Sequence, residues 1–203
     1  MSHRGRFGKY GEIKRFERLR KIWEPKGLLK KEGFGVRPFK NLSLPIVIED
    51  GKKEDQSFIK ELSQALFSEY GEYGSFLPSF LERKEARVWT ASHGKSKVGF
   101  IIVAPYEELS ETFEVVAVAL APRYQGRGIG KLLLDVALKF MKDSNLENVV
   151  AHVAQGNNAS FNLFISKGFL PVSIKKRFYK SQDAVMFVKK IKTKGENHEE
   201  SNR

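Results

Sequence analysis

Hydrophobic and polar residues follow two different periods along residues 45–190, and their succession predicts the order of the elements. Runs that are apolar, or that alternate apolar with polar residues, are typical of strands; they lie at 45–50, 86–92, 97–106, 112–120, 148–153, 169–174 and 184–188. Runs with apolar residues three and four positions apart are typical of helices; they lie at 54–70, 75–84, 129–140 and 158–167. The resulting order, β-α-α-β-β-β-α-β-α-β-β, predicts an α/β fold with a mixed sheet and helices on both faces.

The strand predicted at residues 112–120 differs from the others because its sequence, TFEVVAVAL, is almost wholly apolar. Such a run is typical of a strand that is buried on both faces. Its only charged residue is Glu114, which strict alternation places on the face of Val116, Val118 and Leu120. The residues of that face continue along the strand towards the turn that follows it.

The two ends of the chain lack the periodicity of its middle part. In the N-terminal part, EIKRFERLRKIW has the spacing of a short basic helix, and the segment after it alternates Pro, Gly and Lys like a linker. The last residues are too polar to join a core. We therefore predict a basic N-terminal arm and linker at 1–44, one domain at 45–190 and a flexible polar tail at 191–203.

Composition narrows the class of protein. A chain of 203 residues with 41% hydrophobic residues is long enough to bury the core of one domain with an appendage. No run approaches the roughly 18 apolar residues of a membrane span, and the N-terminus lacks the apolar core of a signal peptide. With no cysteine and four histidines that show no ligand spacing, we expect a cytoplasmic protein without disulfides, a metal site or a membrane partner.

The positive charge is concentrated in the arm. Residues 1–40 hold 13 Lys and Arg against 4 Asp and Glu, so +9 of the formal net charge of +12 lies there. Such a density predicts binding to a polyanion, with RNA or a ribonucleoprotein favoured over a membrane because the helix offers few large apolar residues. Alternatively, the aromatic residues of the arm dock on the domain.

Three glycines occupy every second position between the apolar strand and an amphipathic helix; they are Gly126, Gly128 and Gly130. A Walker A loop would need glycine at Gln125 and a hydroxyl residue at Leu132, and a dinucleotide-binding loop would need glycine at Lys131. Neither pattern is met. The remaining feature is the first turn of a helix whose free N–H groups lie beside Arg127 and Lys131, an arrangement that binds phosphate.

The segment LAPRYQGRGIGKLLL resembles the acyl-coenzyme A signature of the GNAT superfamily of N-acetyltransferases, Gln/Arg-x-x-Gly-x-Gly/Ala, which Gln125 to Gly130 satisfy. Leu120 and Pro122 stand before it as in many members. The later segment GNNASFNLFISKGF resembles a second part of the family pattern through Asn157, Ser160, Leu163, Gly168 and Phe169. The resemblance covers about residues 45–190 and implies a GNAT-like, mostly antiparallel central sheet.

The resemblance also implies that acetyl-CoA is the cosubstrate and assigns its binding residues. Its pyrophosphate would lie on the turn formed by Gln125, Gly126, Arg127, Gly128, Ile129, Gly130 and Lys131. The backbone from Val118 to Leu120 would pair with pantetheine, which Asn157, as the cap of the next helix, would touch. At the position of Phe164, many members have a tyrosine that returns a proton to the leaving thiolate. In this chain Phe164 would only pack against the cosubstrate, and Tyr179 or water would donate the proton.

An amine attacks a thioester only in its neutral form. At neutral pH about one in ten α-amines is neutral, but fewer than about one in a thousand lysine side chains. Some GNAT enzymes carry a general-base glutamate at the offset of Glu114 from the glycine turn, and burial would make it a stronger base acting through water. His152 is a second candidate base, while a strand-end glutamate and a packed histidine are the alternative interpretations.

Together these features predict that the protein transfers an acetyl group from acetyl-CoA to a primary amine of a protein or a small molecule, such as a protein N-terminus or a lysine. The alternative is a catalytically silent GNAT-fold module whose basic arm binds RNA or a ribonucleoprotein.

Overall fold

The computed structural model describes residues 45–144, 146–180 and 182–191, which contain a seven-stranded sheet. Its strands are β1 Ile46–Asp50, β2 Arg87–His93, β3 Ser96–Pro105, β4 Thr112–Leu120, β5 Asn148–Ala154, β6 Leu170–Lys175 and β7 Ala184–Lys190. They lie in the order β1-β2-β3-β4-β5-β7-β6, and every neighbouring pair is antiparallel except β4 and β5. The predicted mixed, mostly antiparallel sheet is confirmed, whereas the predicted arm and most of the predicted tail lie outside the described residues.

Four α-helices connect these strands. They are α1 Gln56–Phe67, α2 Tyr73–Phe76, α3 Ile129–Asp143 and α4 Asn158–Ser166, and short 3-10 turns span Lys53–Asp55, Leu77–Glu82 and Pro122–Tyr124. The helix predicted at 75–84 is instead a single α-helical turn followed by a 3-10 turn. Pro78 lies in the first residues of that 3-10 turn, where its missing N–H and fixed φ cost little. Within the described residues, no helix is long and apolar enough to cross a bilayer.

Helices cover both faces of the sheet, as predicted. One core cluster joins the strands to α3 and α4 through fully buried side chains such as Leu133 and through Phe164. The second joins the opposite face to α1 and the 77–82 turn through Ile59 and Leu77. Each such fully buried side chain contributes about 1.5–3 kcal/mol relative to an exposed one, so the two clusters hold the sheet in place from both sides.

A β-bulge in β4 changes the face on which Glu114 lies. The pairing of β3 with β4 shifts by one residue, which leaves Val116 as an extra residue between two paired ones. Because side chains alternate along a strand, the extra residue places Glu114 on the α1 face with Ala117, whereas Val118 and Leu120 pack on the α3 face. The assignment of Glu114 to the face of Val118 and Leu120 was therefore wrong, since strict alternation ignores a bulge.

Candidate active site

β4 and β5 separate partway along their length. Their parallel pairing covers only Thr112–Val115 against Asn148–Ala151, so the later part of each strand is not paired with the other. A pocket lies in the gap; its lining includes Val116, Ala117, Val118, Ala154, Asn157 and Phe164. The edge of β4 from residue 116 onwards thus offers backbone N–H and C=O groups to a ligand lying in the gap, as an edge strand does to another strand.

The glycine turn lies at the far end of β4. Gly126 and Gly128 have φ of +69° and +83°, a left-handed conformation that side chains other than glycine rarely adopt. A Cβ atom at either position would meet nothing within 4 Å, so backbone conformation, and not crowding by the protein, selects glycine there. A Cβ at Gly130 would lie 3.6 Å from Leu120 and 3.7 Å from Leu163, an ordinary contact that an alanine would also make.

The backbone of this turn presents free hydrogen-bond donors. The N–H groups of Lys131 and Leu132 both donate to the carbonyl oxygen of Gly128, at 3.0 and 3.2 Å. The N–H groups of residues 126–130 have no backbone acceptor in the part of the chain that the structure describes. Gly128, the N-cap residue of α3, has no side chain with which to cap them. The turn therefore offers several N–H groups and the positive end of the helix dipole to an anion.

Two side chains of the turn are engaged within the turn itself. Gln125 Nε2 donates to the carbonyl oxygen of Leu120 at 2.9 Å and so ties the turn to the end of β4. Arg127 Nε donates to the carbonyl oxygen of Arg123 at 3.0 Å. Both residues therefore have a structural function in addition to the contact with the cosubstrate that the resemblance implies.

Asn157 and Phe164 position the helix on the other side of the gap. Asn157 is the N-cap residue of α4, and its Oδ1 accepts a hydrogen bond from the N–H of Ser160 at 3.1 Å, which confirms the predicted cap. Phe164 is 3% exposed and packs edge-on against Phe169, with ring centroids 5.1 Å apart. Both residues still line the pocket, so the tyrosine position of the family holds an apolar wall in this chain.

The two candidate bases lie next to each other. His152 Nδ1 donates to Glu114 Oε1 at 2.6 Å, and their side chains are 3% and 24% exposed, respectively. The His152 ring stacks on Phe178 at 4.4 Å, and its Nε2 is buried with no hydrogen-bond partner in the described part of the chain. Residues that the sequence offered as alternatives therefore form one hydrogen-bonded pair, in which the carboxylate is the more exposed member.

A cluster of tyrosines covers this pair. The Tyr179 ring lies 5.2 Å from that of Tyr70 and 6.2 Å from that of Tyr73, and its hydroxyl donates to the carbonyl oxygen of His152 at 2.7 Å. The N–H of Lys180 donates to the carbonyl oxygen of Tyr70 at 3.3 Å. The segment after α1 and the β6–β7 connection thus meet above Glu114. We call Tyr70, Tyr73 and Tyr179 the tyrosine cluster.

Burial keeps these phenols protonated. Burial, followed by the charge of Glu114, raises the pKa of Tyr73 to about 12, and burial is also the main cause that raises the pKa of Tyr179. An ordinary thiol has a pKa of about 8.5, so proton transfer from either phenol to a thiolate would be unfavourable. The hydroxyl of Tyr179 is also committed to a backbone carbonyl. These facts argue against Tyr179 as the acid that protonates a leaving thiolate and favour water.

The structure brings part of the sequence-derived residues to one pocket, which is lined by Val118, His152, Asn157 and Phe164. Glu114 is bonded to His152, and the turn 125–131 follows β4 beyond the pocket. We call this pocket, together with the open edge of β4 that leads towards the turn, the channel. Tyr70 and Tyr73 were missed by sequence reasoning, because nothing in the run EYGEYG relates it to a strand some forty residues away. In the described ranges, no group of three or more His, Asp or Glu side chains could hold a metal ion.

Comparison with known proteins agrees with this geometry. The model of the acetyltransferase (GNAT) family matches residues 55–169. A mycothiol acetyltransferase from Rhodococcus erythropolis is 27% identical over 154 residues, which cover 66% of this chain and 52% of that protein. The N-alpha-acetyltransferase RimI of Mycobacterium tuberculosis is 36% identical over 72 residues, which cover 36% of this chain and 44% of that protein.

Among solved structures, Arabidopsis thaliana NAA60 in complex with acetyl-CoA matches with a TM-score of 0.64 at 18% identity, over 72% of this chain and 99% of that one. This likeness concerns the fold. The chain spans about half the length of the curated relatives that it matches. Because the family model covers more than half of its 203 residues, the chain belongs to the acetyltransferase (GNAT) family.

Proposed function

We propose that the protein transfers an acetyl group from acetyl-CoA to a primary amine. The observation that carries the proposal is the separation of β4 and β5, because it opens a pocket lined by β4 and by His152, the partner of Glu114. The same strand β4 leads to the turn suited to phosphate. Family membership supports the same activity. A module that only binds a ligand would need the turn and the gap, but it would not need a carboxylate at the end of the channel.

On the donor side, the N–H groups of residues 126–130 hold the pyrophosphate beside Arg127 and Lys131. The open edge of β4 from Val118 to Leu120 binds the pantetheine amides, and Asn157 and Phe164 form the opposite wall. Acetyl-CoA supplies the reactive acetyl thioester. These residues bind it, orient it and keep water away from one side.

On the acceptor side, Glu114 removes a proton from the ammonium form of the amine, directly or through one water. His152 donates Nδ1–H to the carboxylate and keeps one of its oxygens in place. The neutral amine attacks the thioester carbonyl carbon, the new C–N bond replaces the C–S bond, and the thiolate leaves. The second amine proton passes to solvent, and water protonates the thiolate.

The acceptor is a chain end rather than an internal side chain of an extended peptide. The hydrogen bond from Lys180 to Tyr70 and the contact between the Tyr70 and Tyr179 rings join the segment after α1 to the β6–β7 connection beside the pocket, which narrows the approach for a peptide. A peptide therefore enters end-on, with its α-amine first. A larger fraction of α-amines than of lysine amines is neutral near pH 7, which favours the same acceptor. The name of the RimI relative, an N-alpha-acetyltransferase, is in keeping with this choice.

The test uses labelled acetyl-CoA and two peptide pools. The first pool has free α-amines and no lysine, and the second has blocked α-amines and one lysine per peptide. We expect label in the first pool only. Label in the second pool would identify a lysine acceptor. Binding of acetyl-CoA without label in either pool, or in small amines added as a third sample, would identify a silent binding module.

We also propose that the basic arm brings the enzyme to RNA or a ribonucleoprotein. The supporting observation is the excess of nine positive charges within residues 1–40. If about six phosphates are neutralised, the logarithm of the RNA-binding constant falls with the logarithm of salt concentration at a slope of about −4 to −5. Deletion of residues 1–40 should abolish retention on RNA. A truncated protein with an unchanged slope would contradict this role.

A further inference from the structure

The glycine turn is attached to the β2–β3 hairpin at both ends of the 3-10 turn Pro122–Tyr124. At one end, the N–H of Ala121 donates to the carbonyl oxygen of Val98 at 2.9 Å. At the other, the Tyr124 hydroxyl and His93 Nδ1 lie 3.2 Å apart in a hydrogen bond whose direction depends on the histidine tautomer. Tyr124 is only 6% exposed, so water cannot readily replace this bond.

The first attachment continues the pairing of β3 with β4. Gly99 pairs with Leu120, so the bond from Ala121 to Val98 extends that antiparallel ladder by one position. The pairing of β2 with β3 is irregular at the same place, because Ala91 pairs with Gly99 and Ser92 with Lys97, which leaves Val98 as an extra residue. The second attachment, from Tyr124 to His93, is therefore the one made by side chains.

Between Tyr124 and Ile129 the turn has little other support. A Cβ atom at Gly126 or Gly128 would contact no atom within 4 Å, and the side chain of Arg127 bonds within the same segment, to Arg123. Gln125 links the turn back to its own strand at Leu120. The position of residues 126–128 thus depends on the attachments at Ala121 and Tyr124 on one side, and on the other side on Ile129, which begins α3 and is fully buried.

The presence of a histidine at position 93 also supports a specific contact with Tyr124. Its Nε2 is buried and has no hydrogen-bond partner among the described residues, which costs stability. A residue needed only for packing would be better apolar at this position, because it would bury no unpaired polar atom. A histidine whose ring lies edge-on to Tyr124, with centroids 5.7 Å apart, instead provides the polar atom that the tyrosine hydroxyl needs.

We propose that His93 and Tyr124 are positioning residues that hold the glycine turn in place for the phosphates of acetyl-CoA. The inference rests on the proposed function, since it assumes that the turn binds those phosphates. It assigns a role in donor binding to a hairpin that does not line the channel. It also makes that role specific for the phosphate-bearing half of the donor.

The test compares donors with and without phosphates. Tyr124→Phe keeps the ring but removes the hydroxyl, so we expect the Kd for coenzyme A to rise about fivefold, the loss typical of one hydrogen bond. The Kd for pantetheine, which lacks the phosphates, should not change. With one acceptor peptide taken from the pool above, the KM for acetyl-CoA should rise and kcat should stay constant.

Two further variants separate positioning from loss of stability. Thr90→Val removes another buried hydroxyl of the same hairpin, one that accepts from Lys97 Nζ at 2.7 Å and does not touch the turn. It should lower the melting temperature without raising the Kd for coenzyme A. His93→Leu should reproduce the effect of Tyr124→Phe, and His93→Gln, which keeps a polar partner for the hydroxyl, should restore part of the affinity.

Equal Kd values for coenzyme A in wild type and Tyr124→Phe would overturn the inference, as would an equal loss of affinity for pantetheine. Failure of the proposed function gives different results. Wild type that binds no coenzyme A would show that the donor site is absent, and wild type that binds coenzyme A but labels no amine would be a silent module, in which the comparison of Kd values still tests the inference.

Discussion

The glycine turn and the acceptor side of the channel are built in opposite ways. The turn is one continuous segment, residues 125–131, and it offers mostly backbone N–H groups. The acceptor side combines side chains from four separate parts of the chain: the segments after α1, in β4, in β5 and between β6 and β7. The turn therefore depends on backbone conformation, and the acceptor side depends on tertiary packing.

This difference predicts that substitutions in the two regions have different effects on binding and on turnover. If the turn binds the donor as we propose, a substitution there should reduce donor binding, because its N–H groups would contact the donor in ground and transition states alike. A substitution of Glu114 or His152 should reduce turnover while donor affinity is kept. Each of the following experiments tests whether the two effects can be separated.

The largest effect on binding is expected for Gly128→Glu. The side chain would have to adopt a φ of +83° and would place a negative charge beside the bound phosphates, so affinity for acetyl-CoA should fall about a hundredfold or more. Gly168→Glu is the matched control, because Gly168 has a similar φ of +78° and lies outside the turn. Calorimetry that finds equal affinities for the two variants would show that the phosphate site lies elsewhere.

A smaller effect is expected for His152→Leu. The substitution removes the donor to Glu114, which is a hydrogen bond to a charged group, so we expect kcat to fall about tenfold with little change in acetyl-CoA affinity. His152→Gln keeps an N–H donor and should restore part of the rate. A loss in His152→Leu that exceeds the loss in Glu114→Gln, with no rescue by glutamine, would instead make His152 the base.

The smallest effect concerns alkaline stability. Burial raises the pKa of Tyr73 from 10.0 to about 12, so the neutral phenol stabilises the fold fully below pH 10, and this contribution is lost as the pH rises towards 12. The melting temperature of Tyr73→Phe should therefore fall less between pH 10 and pH 12 than that of the wild type. Tyr179→Phe should change in the same direction. Parallel melting curves for wild type and Tyr73→Phe would contradict this interpretation.

The same contrast explains what the sequence could predict. Strand and helix order follows from local periodicity, and the glycine turn follows from a contiguous motif, so both could be read without a structure. The cap at Asn157 is local in the same sense. The bulge at Val116 could not be predicted, because it is a property of the pairing with β3, and it moved Glu114 to the other face.

Contacts between residues that are far apart in the sequence could not be predicted either. Glu114 and His152 are 38 positions apart, and sequence reasoning treated them as competing candidates although they share a hydrogen bond. Tyr70 and Tyr179 meet only because two connections converge above the sheet. The sequence assigned no role to His93 or Tyr124, whereas the structure joins them by a hydrogen bond between residues 31 positions apart.

The most direct test of the central claim is the effect of Glu114→Gln on labelled acetyl transfer, measured together with acetyl-CoA affinity in the same preparation. Asp135→Asn serves as the control, since Asp135 is a carboxylate on α3 that pairs with Lys167 at 2.6 Å and does not line the pocket. We predict that Glu114→Gln lowers transfer to free α-amines about a hundredfold and leaves acetyl-CoA affinity unchanged. Equal rates for Glu114→Gln and wild type from pH 6 to 9 would contradict the account.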